Sequence, residues 1–198
     1  MGGTMTAEPA RAWPMPPQDG YTVDDLLTLP DLPPHTELID GSLVFVSPQR
    51  SFHSDTIDLL VAGLRGTVPP EYRVKREMTV VIDRRNGFEP DISVLRAEAV
   101  TGRTQTYYEA SAVVLAVKVV SPDSEARDRD TKPHKYAAAG IPNFWRVEMA
   151  HHNEMPTVHV FSLAPATRTY VHQGVHHSRL KLTEPYVIDI DLTAIDQL

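Results

Sequence analysis

The apolar and polar residues of this 198-residue chain change period repeatedly, and each change marks an element. Thr22 and Asp25 have capping-box spacing and open a short helix, VDDLLTL, that Pro30, Pro33 and Pro34 stop. ELIDGSLVFVS follows, two apolar runs around Asp40-Gly41, which predicts a hairpin with a two-residue turn. In SFHSDTIDLLVAGLR, Ile57, Leu60, Val61 and Leu64 fall on one helical face. Residues 72–83 alternate as a strand or strand pair, RRNG (84–87) reads as a turn, and FEPDISVL returns as a strand. Residues 96–111 are polar and aromatic, the pattern of a surface loop.

Val113–Val120 is apolar on both faces apart from Lys118, so it reads as an interior strand. Strict alternation puts Val113, Leu115, Val117 and Val119 on one face and Val114, Ala116, Lys118 and Val120 on the other. DRDTKPHKYAAAG is a short helix ended by Gly140 and Pro142, and NFWRVEM is a strand. PTVHVFSL, TRTYVHQG and YVIDIDL make the last third strand-rich. This order predicts an α/β domain with a mixed β-sheet flanked by helices over residues 21–198, after a flexible segment over residues 1–20.

Composition narrows the chemistry. There is no cysteine, so disulfides, thiolate nucleophiles and cysteine-bound zinc are excluded. No apolar run approaches the roughly 20 residues that span a bilayer. No basic and then apolar leader opens the chain, and the expected location is cytoplasmic. The net charge is −7, and residues 1–64 carry all of it, with nine acids against two bases. That acidity argues against non-specific binding of nucleic acid by the front third, whereas Arg65 to Arg103 is locally basic. The histidines from His151 to His177 lack the partners of a zinc site, and Phe144, Trp145 and Tyr136 read as core.

Lys118 is the anomaly, because a charge inside a buried strand is costly unless paired. ELIDG (37–41), SPQRSFH (47–53), PDISVL (90–95), VVLAVKVVSPDS (113–124) and ARDRDTKPHKYAAAGIPNFW (126–145), in this order, resemble the Uma-type restriction-endonuclease branch of the PD-(D/E)xK nuclease superfamily. The resemblance spans about residues 22–195. It implies a restriction-endonuclease-like fold, a Mg²⁺- or Mn²⁺-dependent phosphodiesterase site, DNA as partner and a homodimer. Residue by residue, it implies Asp91 as a metal ligand, Lys132 as the catalytic lysine, Glu37 near the site and His53 on the first long helix.

Where the family carries its second metal-binding glutamate, in Glu-Val-x-Ser-Pro, this chain reads Lys118-Val119-Val120-Ser121-Pro122. The change is two charge units. At ~4 Å and an effective dielectric near 20, each unit is worth about 4 kcal/mol. The expectation is an ammonium that pairs with Asp91 in the metal's place, and an endonuclease impaired in this chain. The alternative is a non-catalytic module on the same fold that holds nucleic acid or a protein partner.

Overall fold

The computed structural model describes residues 15–46 and 48–198. The first fourteen residues of the expected flexible segment lie outside the described residues. Thr22 caps α1 (Val23–Thr28) with the full capping box. β1 (Glu37–Ile39) and β2 (Ser42–Val44) form the hairpin around Asp40-Gly41, where both turn residues have positive φ, 49° and 80°. α2 (Ser51–Thr67) buries Ile57, Leu60, Val61 and Leu64, the face its periodicity predicts.

Residues 72–83 form two strands, β3 (Tyr72–Arg76) and β4 (Thr79–Asp83), that belong to different sheets. The turn after β4 is Arg84-Arg85, and Asn86-Gly87 is not part of it. These two residues begin β5 (Asn86–Phe88), contrary to the sequence expectation. Asn86 is buried, with its Nδ2 2.9 Å from the Asp83 carboxylate and its Oδ1 accepting from the Asp40 N–H. A Cβ at Gly87 would stand 2.9 Å from Leu26 Cδ2, so glycine is needed there for close packing under α1.

β6 (Ile92–Arg96) follows the break at Glu89-Pro90-Asp91. Residues 96–111 are more than a surface loop. They contain β7 (Tyr107–Glu109), which pairs in parallel with β4 and buries Tyr108. β8 (Val113–Val119) is buried along its whole length, between β6 and β9 (Asn143–Met149).

Its register against β6 slips, with Val94 opposite Leu115 and Leu95 opposite Val113. This bulge exchanges the faces expected for Val113 and Val114, since an extra residue reverses the alternation beyond it. Val114 packs with Leu115, Val117 and Val119, while Val113 packs with Ala116. A π-helical turn (Arg127–Thr131) leads into α3 (Lys132–Ala138). β10 (Pro156–Ala164), β11 (Thr169–His176), β12 (Arg179–Leu182) and β13 (Ile188–Asp191) complete the chain.

The described residues form three sheets, where the sequence pattern suggested one. A six-stranded mixed sheet has the order β11-β10-β9-β8-β6-β3, a five-stranded one β2-β1-β5-β4-β7, and β12 pairs with β13. One face of the large sheet packs on α2 and the β12–β13 pair through Leu60, Leu64, Val117, Trp145 and Ile190. The other meets the five-stranded sheet and α3 through Val80, Phe88, Ala116, Tyr136 and Phe144. Ala116 and Lys118 share this second face, so Lys118 points toward the space where the two sheets and α3 converge.

Candidate functional site

Asp91 closes the break before β6, with Pro90 fixing the approach. The adjacent strand β8 brings Lys118 alongside, and Lys118 Nζ lies 2.7 Å from Asp91 Oδ1. Asp91 Oδ2 accepts from the backbone N–H of Val119. His53, at the third position of α2, sets its Nε2 3.4 Å from Asp91 Oδ1. Beside this group, Glu37 of β1 accepts the Glu89 N–H at Oε1 (2.8 Å), and its Oε2 lies 2.7 Å from Lys132 Nζ. The same ammonium lies 3.0 Å from Asp128 Oδ1, and Asp128 Oδ2 accepts from Ser124.

Asp91, Lys118, Lys132, Glu37 and His53, all named from sequence, are therefore brought to one place, and all are buried. Asp128 is the member that sequence reading missed. It is fully buried in the π-helical turn, four residues before Lys132. That i,i+4 acid–base spacing was the available signal. Tyr136, one turn after Lys132, has its hydroxyl buried without a partner among the described residues. Burial, and after it the carboxylates Glu37, Asp128 and Asp91, raise its pKa well above the ordinary tyrosine value.

The charges hold one another in place. Burial pushes the Asp91 carboxyl up, but the Lys118 ammonium and the His53 bond outweigh it and bring the pKa down to about 2. Burial also pushes Lys118 down, and the charges of Asp91, Asp128 and Glu37 outweigh that, so its pKa is raised. A cleft of about 390 Å³ opens over this group. Glu37, His53, Asp91 and Lys118 stand in its lining with Pro33, Pro34, Val46 and Pro48, and His35, Glu77 and Glu89 add to it. His35 and Glu89 are joined by a short Nδ1–Oε1 contact. Sequence reading missed both, and nothing local marks His35.

The resemblance implied a divalent metal on Asp91. The residues present do not fit one as they are arranged. Both Asp91 oxygens are engaged, and the Lys118 ammonium stands 2.7 Å from Oδ1. Among the described residues no group of three His, Asp or Glu side chains is placed to hold a metal ion. Mg²⁺ needs several hard oxygen ligands and repels a neighbouring ammonium.

Tyr136, Phe144 and Trp145 are core residues, and Tyr108 is buried while Tyr107 is exposed. The Arg85 guanidinium lies over the hairpin turn, 2.9 Å from the Asp40 carbonyl. Among the described residues, no helix is long and apolar enough to cross a membrane.

The mixed sheet flanked by helices has a counterpart among solved structures. A protein from Anabaena variabilis, described as "a putative nuclease belonging to DUF820", superposes with a TM-score of 0.64 at 18% identity, covering 89% of this chain and 92% of that one. At that identity the likeness shows the fold. The family follows from a second comparison: residues 23–194 match the Uma2 model, "Putative restriction endonuclease", and the chain belongs to that family. No curated protein matches the chain.

Proposed function

We propose that this chain is a DNA-directed phosphodiesterase of the restriction-endonuclease type, acting in the cytoplasm, whose metal-dependent cleavage is impaired at position 118. One observation carries the reading: the Lys118 ammonium sits 2.7 Å from Asp91, where the family pattern calls for a carboxylate. Phosphodiester hydrolysis at neutral pH needs charge neutralisation at phosphate and an activated water, and Mg²⁺ or Mn²⁺ supplies both when bound. Here Asp91 is spent on Lys118, and Glu37 is spent on Lys132. The fold and its cleft remain suited to a phosphodiester, while the cation in the cleft floor is part of the chain.

The test is a cleavage assay on duplex DNA, single-stranded DNA and RNA, with Mg²⁺ or Mn²⁺, against the family's ordinary glutamate-bearing site restored by Lys118→Glu. The expected result is little or no metal-stimulated cleavage by this chain. Robust cleavage that survives Asp91→Ala would overturn the site assignment.

A second reading is supported by the charge distribution. Residues 1–64, which supply α1, the β1–β2 hairpin and most of α2, are net −7. That favours a non-catalytic module with a protein partner, a second copy of the chain included, over tight non-specific DNA binding. Failure to bind nucleic acid at any ionic strength, with a partner recovered in its place, is the outcome that selects it.

A further inference from the structure

The carboxylates around the cleft each already hold a cation. Asp91 holds Lys118 and Glu37 holds Lys132, both at 2.7 Å, and Glu77 holds Arg76 at 3.0 Å. Arg76 is further tied to Asp58 at 2.6 Å, and both lysines are buried. Glu89 holds His35, and this pair differs from the rest. The His35 side chain is half-exposed (49%), whereas Glu89 is largely buried (15%). Only Nδ1 of the ring is engaged by Glu89, and Nε2 has no partner among the described residues.

The backbone holds this imidazole at the cleft. His35 has φ +60°, an uncommon conformation for a residue other than glycine, and it follows Pro33-Pro34. Thr36 Oγ1 donates to the Pro33 carbonyl at 2.6 Å and closes the turn. The hydrogen bond to Glu89 raises the His35 pKa, burial opposes it, Glu77 adds to the rise and Lys118 subtracts from it. A protonated ring donates Nδ1–H to Glu89 and keeps Nε2–H for a ligand. Burial pushes the Glu89 carboxyl up and the bond to His35 pulls it back down, and a neutral ring gives up that compensation and offers no second N–H.

We propose that His35, held across the cleft mouth by Glu89, is the residue through which this cleft takes hold of a phosphodiester, its free Nε2–H donating to a phosphate oxygen. The inference rests on the nucleic-acid reading above and deepens it. Lys118 and Lys132 are committed to carboxylates, and the other imidazole of the lining, His53, turns its Nε2 to Asp91, so the cleft meets an anion through His35, in a charge-assisted hydrogen bond. Binding therefore needs no metal and strengthens on acidification through the His35 titration. DNA and RNA share the phosphodiester, and a base-edge or 2′-hydroxyl preference would add to this contact without replacing it.

The test is fluorescence anisotropy with a short labelled DNA and an RNA of the same sequence, in EDTA at low salt, from about pH 5 to about pH 9. The expected result is an affinity that falls about tenfold or more as pH rises through the His35 titration. His35→Ala should hold the affinity at its alkaline level at every pH. Glu89→Gln should move the midpoint to lower pH. In the unaltered protein, the His35 ring NMR signals should shift on addition of the oligonucleotide, which checks the contact without a variant. Binding that is independent of pH, or unchanged in His35→Ala, overturns the inference and leaves the nucleic-acid reading standing. No binding of either oligonucleotide at any pH or salt overturns both.

Discussion

At the scale of the residue, the ion pair of Asp91 and Lys118 governs the centre. A buried charge that loses its partner is left uncompensated, at a cost of about 3–5 kcal/mol. Lys118→Met should therefore destabilise the fold by about that amount at neutral pH, measured by urea unfolding. The loss should shrink in acid, where Asp91 can take up a proton. In the unaltered protein, Asp91 titrates at about 2, below its ordinary value of 3.8. The stability it contributes is present above the unfolded value and is lost as pH falls from about 4 toward 2, on the order of 2 kcal/mol in all. Lys118, with its pKa raised, contributes stability that is present below its ordinary value of 10.5 and lost only at more alkaline pH. A cost well below 1 kcal/mol for Lys118→Met would show that Asp91 finds other support.

The residues of the site were legible unevenly. Asp91, Lys118, Lys132, Glu37 and His53 stand in recognisable stretches, and the structure clusters all five. Asp128 was hidden because DRDTK offers several acids, and a π-helical turn, invisible to a 3.6-residue period, decides which one faces inward. Glu89 and His35 lie 54 residues apart in sequence and meet through tertiary structure alone.

At the scale of the element, local signals placed α1 by its capping box, the hairpin by Asp40-Gly41, α2 by its apolar face and β8 by its apolar run. The failures share a cause. Asn86-Gly87 reads as a turn by composition, yet contacts with Asp83, Asp40 and Leu26 draw it into β5. Val113 and Val114 exchange faces through a bulge against β6, which no single-strand pattern encodes. The polar stretch 96–111 gains a strand because β4 offers it an edge.

Packing between elements also yields a prediction. α2 lies so close to β13 that a Cβ at Gly63 would stand 2.6 Å from Ile190 Cγ1 and 2.7 Å from its Cδ1. Gly63→Ala improves helix propensity by about 1 kcal/mol in isolation. Overpacking here should reverse the sign and cost about 1–3 kcal/mol, read as a lower urea midpoint at unchanged slope. A gain in stability would mean that the β12–β13 pair yields readily.

At the scale of the molecule, the two large sheets and α3 converge at the site. The five-stranded sheet supplies Glu37, the six-stranded sheet supplies Lys118 with Asp91 at its entrance, and α3 supplies Lys132. The sequence indicated a mixed α/β domain but not its division into three sheets, because strand partnership depends on contacts far apart in the chain. On the reading proposed above, this architecture would hold a metal with its carboxylates if position 118 were acidic, and in this chain it holds a lysine with its counter-ion.

The most direct measurement is metal binding to this chain and to Lys118→Glu, followed by Mn²⁺ titration calorimetry and by the Mn²⁺-dependent rise in melting temperature. The expected result is no specific binding or stabilisation in the unaltered protein. Lys118→Glu should be destabilised without metal, stabilised by Mn²⁺, and competent for metal-stimulated DNA cleavage. Specific Mn²⁺ binding by the unaltered protein, or a Lys118→Glu variant that folds but neither binds metal nor gains cleavage, would contradict the account.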